Sequence, residues 1–178
     1  MDLVKKAKEF YSSRSKLVIV IILTVLFITG FRSIFMIFML GMLVMATDFL
    51  IHSARIPIHL DLLLFASLLI TRIYGLKTSL VFSIITGNIP EMATGSFNIS
   101  DALSVLPIML LNVLSTLLIS WNLVLLGVVL SVIFFVSEVL IAMVSAAPVH
   151  KVFLEPFIVL LLNIFLFINF GEFLAGFM

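Results

Sequence analysis

The sequence predicts an all-α integral membrane protein, a compact bundle of about six transmembrane helices, and three observations carry that prediction. Hydrophobic residues make up 63% of the 178 positions and charged residues 11%, against about 25% charged in a soluble domain. Mean hydropathy is +1.40. The apolar residues fall in long continuous runs such as Leu123 to Val136, whereas a membrane barrel would show short alternating segments. Each crossing needs roughly 20 apolar residues to span the hydrocarbon.

Residues 1–16 set Lys5, Lys6, Lys8, Arg14 and Lys16 against Asp2 and Glu9, with Leu3, Val4, Ala7 and Phe10 at helical spacing. This is a basic amphipathic segment suited to the anionic cytoplasmic leaflet, or simply a solvated positive anchor. No small-residue cleavage site follows it, so it is expected to remain. Residues 17–178 form a single transmembrane domain. Its hydrophobic segments run 17–31, 33–52, 61–74, 76–89, 102–120, 122–145 and 152–177.

The Lys and Arg distribution chooses between seven crossings and six, because cytoplasmic flanks are the richer in both. With seven, the tail, Arg55 and Lys151 lie on one side and Arg32, Arg72 and Lys77 on the other, seven against three. If the 17–52 block crosses once, the tail, Arg32, Arg72 and Lys77 share a side, eight against two. Six crossings with both termini cytoplasmic follow. Three loops then face outward: Arg55 to Asp61, Gly87 to Asp101 and Ala146 to Lys151. The middle one, GNIPEMATGSFNISD, concentrates Asn88, Glu91, Asn98, Ser100 and Asp101, and a long polar loop in such a chain points to function.

Polar residues inside apolar runs need partners. Asp48, His52 and Arg55 share one helical face at i, i+4 and i+7. They either aim Arg55 at a ligand or hold a helix end. Glu138 sits in VIFFVSEVLIAM with no Lys or Arg nearby, so its partner must come from another helix or from a ligand. Asn112, Asn163 and Asn169 read as glue between helices. Glu155 and Pro156 suit a helix start. Trp121 suits an interfacial anchor.

Enzyme signatures are missing from the sequence: it has no HExxH, GxSxG, GxxxxGKS/T or GxGxxG, so no catalytic residue is expected. His52, His59 and His150 are too scattered for a metal set, no cysteine supplies a thiolate, and no cofactor is expected. A net charge of +1 gives no field for nucleic acid. Three functions remain: capture of a small molecule by the outer loops, a membrane scaffold, and an intramembrane enzyme built on Glu138 and Asp48. In the first, Asn98 and Asp101 hydrogen-bond the ligand and Arg55 or His59 meets an anionic group.

The segment IPIHLDLLLFASLLITRIYGLKTSLVFSIITGNIPEMATGSFNISDALSVLP places a polar Asp61 before a short helix, a tight turn at Gly75, a second short helix and a polar loop. This layout resembles the substrate-binding S components of energy-coupling-factor vitamin transporters and the related rod-shape protein MreD. The first resemblance implies a non-enzymatic binder of a small vitamin-like molecule at Arg55, His59, Asp61, Asn88, Glu91, Asn98 and Asp101. A transmembrane coupling subunit with ATPases would then be its partner, beside membrane lipids. The second implies a structural scaffold whose basic tail meets cytoplasmic proteins.

Overall fold

In a computed structural model the described residues are 32–54, 61–95, 99–145, 148 and 150–178, and apart from short turns they are helical. The chain divides into two compact units, 1–38 and 39–178. Of the first, only the opening turns of helix α1 (Arg32–Ala54) are described. The second holds the rest of α1 and α2 (Leu63–Tyr74), α3 (Leu76–Thr94), α4 (Ile99–Leu117), α5 (Leu123–Val144) and α6 (Val152–Phe177). The last helix opens in a π turn at His150–Leu154 and widens again at Phe167–Gly171.

Helix α2 is the axis of this unit. Every residue from Leu63 to Thr71 is buried, as α3, α4, α5 and α6 all pack against it. A helix that is apolar on all sides is stable only in such surroundings. It ends at Gly75, where φ of +87° is open to glycine at no steric cost, and α3 starts at the next residue.

The interior of the bundle is more polar than its exterior. On α3 the inward face carries Ser79, Phe82, Ser83, Thr86 and Pro90, while Val81, Ile84, Ile85 and Ile89 are exposed. On α4 the pattern repeats, with Asn112 and Ser115 inside and Leu106, Leu110 and Leu117 outside. Hydrogen bonds join the inner faces. The Ser67 hydroxyl donates to Asn112 Oδ1 at 3.3 Å, Asn112 Nδ2 donates to Ser83 Oγ at 3.4 Å, and the Ser79 hydroxyl donates to the Ser67 carbonyl at 2.8 Å. Small residues let α2, α3 and α4 approach, and the amide ties them.

Across the bundle, α2, α5 and α6 meet on one ring. Phe167 is fully buried, stands edge-on to Phe65 with centroids 4.8 Å apart, and lies directly over Gly127. A Cβ at position 127 would come within 2.3 Å of that ring, so the close approach of α5 to α6 depends on glycine.

The structure differs from the sequence reading at GNIPEMATGSFNISD. Helix α3 runs on through Pro90 to Thr94 and α4 begins at Ile99, so the expected loop shrinks to the few residues between them. Pro90 and Gly87 promote turns in many chains, but here a continuing helix keeps the remaining backbone groups paired within the segment. Gly87 is a packing residue: a Cβ there would meet Val105 at 2.8 Å and Leu63 at 3.0 Å.

Gly127→Val is expected to lower stability by about 1–3 kcal/mol through overpacking against Phe167. Adding Phe167→Ala should leave the double variant less destabilised than the sum of the two singles; unfolding in detergent micelles, followed by circular dichroism, reads both. Asn112→Leu strips the serine hydroxyls of their interhelical partner, and the same measurement should show a loss of about 1 kcal/mol.

Candidate functional site

The two ends of the bundle are built differently. At the end marked by Gly75, side chains clamp the turns. Arg72 donates from Nη1 to the Ile119 carbonyl and from Nη2 to the Trp121 carbonyl at 2.9 Å, holding the turn between α4 and α5. Asn122 caps α5 by accepting from the Val124 and Leu125 amides, and its Nδ2 donates to Glu172 Oε1 at 2.9 Å. The Tyr74 hydroxyl donates to the Met178 carbonyl at 3.2 Å.

Toward the other end Asp61 and Asn163, far apart in the sequence, are joined by a hydrogen bond. Asp61 immediately precedes α2, and its Oδ1 accepts from the Leu63 amide at 2.7 Å. Asn163 of α6 is fully buried, and its Nδ2 donates to the Asp61 carbonyl at 3.4 Å and to the Val159 carbonyl at 2.9 Å. Asn122 pairs with Glu172 and Gly127 lies against Phe167, so along these antiparallel helices Glu138 of α5 stands about 10 Å farther from the Gly75 end than Asn163 does.

What distinguishes this half of the bundle is unmet acceptors. Glu138 Oε1 and Asn163 Oδ1 are both buried without a hydrogen-bond partner. Asn163 spends both amide hydrogens on carbonyls while its own oxygen receives nothing. Such groups are rare in folded proteins, since each forfeits about 1–3 kcal/mol when taken out of water unpaired. Among the described residues no cation and no donor answers them. The arrangement can accept hydrogen bonds and attract positive charge.

Of the residues expected to bind substrate, Asp61 joins Asn163. Asn88 does not: it lies within α3, and its Nδ2 donates to the Ile84 carbonyl one turn back. Arg55, His59 and Asn98 lie outside the described residues, and so do the side chains of His52, Glu91 and Asp101. Asp48 is half-buried on α1. Glu138, expected to find its partner on another helix, keeps its Oε1 buried without a hydrogen-bond partner. Asn163 was read as glue and is half so, through its amide hydrogens alone. Asn169 ties no second helix, its Nδ2 donating to the Phe165 carbonyl of its own helix.

The spacing of Asp61 and Asn163 along the chain carries no sign that they meet, and nothing local marks Glu138 and Asn163 as holding unpartnered oxygens. The only signal is that each interrupts or opens an apolar run. No group of three or more His, Cys, Asp or Glu side chains among the described residues is arranged to hold a metal ion. Three helices, over Arg32–Ile51, Leu123–Val144 and Val152–Phe177, are long and apolar enough to cross a membrane. Comparison with family models, curated proteins and solved structures finds no match to this chain.

Proposed function

We propose that this chain is a multi-pass protein of the cell membrane with six crossings and cytoplasmic termini, and that it is the substrate-binding subunit of an uptake transporter for a small, vitamin-like molecule. Support for membrane embedding comes from the reversed amphipathicity of α3 and α4. Val81, Ile84, Leu110 and Leu117 face outward while Ser79, Ser83 and Asn112 face inward. An apolar exterior of this extent is rare on a soluble monomer. In lipid it is the expected surface, and small and polar residues are the expected helix contacts.

The observation that carries ligand capture is the pair of buried, unpartnered acceptors Glu138 Oε1 and Asn163 Oδ1, the second on a side chain that also donates to the Asp61 carbonyl. Intramembrane ionisable groups facing a bundle interior mark ligand or ion paths. Both acceptors lie toward the side of the bundle to which the chain before Asp61 and after Val144 leads, and under six crossings that side is external. A bound molecule entering there meets a preformed polar floor while the far end stays clamped. As a binding subunit the chain does no chemistry of its own, and energy for release comes from partner subunits with ATPase activity.

Native mass spectrometry of protein taken from a mild detergent tests this reading. A stoichiometric small molecule released on activation is expected. Protein that is consistently empty and co-purifies with cell-shape proteins would overturn capture in favour of a scaffold. The lack of native cysteine makes topology directly measurable. Ala93→Cys should react with an impermeant maleimide on intact cells, and Ser120→Cys only after permeabilisation; the opposite order would refute the orientation.

A further inference from the structure

We infer that the outward face of α6 is a contact between two copies of this chain within the membrane, centred on Asn169 paired with its counterpart in the second copy. The inference rests on membrane embedding and is independent of ligand capture. Helix α6 carries two amides that face opposite ways: Asn163 is fully buried, whereas Asn169 is exposed. The direction of Asn169 follows from the π turn Phe167–Gly171. Both end residues of that turn are buried and stand four residues apart, close to one full turn, so Asn169, midway between them, lies on the opposite side. Its exposed neighbours Phe165, Ile168 and Phe173 are apolar. Along the helix axis Asn169 is about 12 Å from Phe177 and about 25 Å from Val152, well inside this 26-residue apolar span.

An amide in that position is poorly served by its own chain. Hydroxyls elsewhere at the outer surface, on Thr47, Thr116 and Ser145, spend their single hydrogen on a carbonyl of their own helix. An amide has two hydrogens and an acceptor oxygen. Asn169 donates one hydrogen to the Phe165 carbonyl at 2.8 Å, and among the described residues nothing takes the other or donates to its oxygen. Hydrocarbon offers neither, and a polar group left unpaired there is costly. A second copy answers both needs. Copies of one chain insert in the same orientation, so a two-fold axis along the membrane normal brings Asn169 against Asn169 at equal depth. The residue on such an axis has to pair with itself. An amide does so, donor to acceptor in both directions, whereas a carboxylate or an ammonium repels its own copy. Beside it the edge-to-face pair Phe165–Phe170 and the stacked pair Phe173–Phe177 supply firm apolar surface for close packing.

The test uses the full chain in phosphatidylcholine and phosphatidylglycerol liposomes, labelled through Ser145→Cys, with single-molecule photobleaching counting copies as the protein-to-lipid ratio falls. Two-step bleaching that gives way to one-step only on dilution is expected. Asn169→Leu should weaken the dimer about three- to tenfold, and Asn169→Gln, which keeps donor and acceptor, should lose less. Because Asn169 is exposed, Asn169→Leu should leave the melting temperature of the dilute protein unchanged, which separates loss of contact from loss of fold. In native membranes, oxidation should link copies carrying Phe165→Cys or Phe173→Cys, and not copies carrying Leu110→Cys on α4 or Val136→Cys on α5. One-step bleaching at every ratio, a dimer indifferent to Asn169→Leu, or links through Leu110→Cys or Val136→Cys alone would overturn the proposal. Phe173→Cys linked to a different chain, with no link between copies, would overturn it too. Alkaline carbonate extraction keeps the two readings apart. A chain that stays in the membrane pellet yet is always monomeric loses the second copy alone, and a chain released by carbonate loses membrane embedding as well.

Discussion

A helix bundle whose outer surface is apolar has to satisfy its polar groups from within, and that constraint shapes nearly every contact described above. Serine and threonine hydroxyls turn back to carbonyls of their own helix, as Thr71 does to Ser67 and Thr86 to Phe82. Others reach across, as Ser79 does to the Ser67 carbonyl. Asn112 closes the set between α2, α3 and α4. The same requirement makes the two orphan oxygens at Glu138 and Asn163 conspicuous, because everything around them obeys the rule they break.

Packing follows from residue size under the same constraint. Helices with apolar outer surfaces associate where their inner surfaces fit closely and hydrogen bonds form. Small side chains at Ser79 and Ser83 allow one approach, and glycine at 87 and 127 allows two others. Phe167 is the large counterpart, filling the space that Gly127 leaves. The central position of α2 is thus secured from one side by a polar seam and from the other by an aromatic ring. Its two faces are held by different physics.

Much of the architecture was readable from hydropathy, because runs of apolar residues long enough to bury themselves announce helices whatever surrounds them. The break at Gly75 and the Ser120, Trp121, Asn122 turn were readable because each interrupts a run with residues that end helices. GNIPEMATGSFNISD was not, since turn propensities are local, and Gly87 and Pro90 here lie in a helix whose inner face is packed against its neighbours. The candidate site was half readable. Asp61 and Glu138 stood out as carboxyls in apolar surroundings, but the bond of Asn163 to Asp61 is a product of how α2 and α6 pack. The inter-element clamp of Arg72 and the pairing of Asn122 with Glu172 left no trace in local sequence either.

The clamp at the Gly75 end has a mechanical meaning. Arg72 fastens the base of α2 to the α4–α5 turn, and Asn122 fastens the base of α5 to α6, so these helices share a common footing. Rods fixed at the base tilt about it, and displacement grows with height. A tilt of about 5° around this footing shifts a group about 22 Å above it by roughly 2 Å. That is the scale of a hydrogen bond, so the footing governs how closely a distant group such as Glu138 keeps its place.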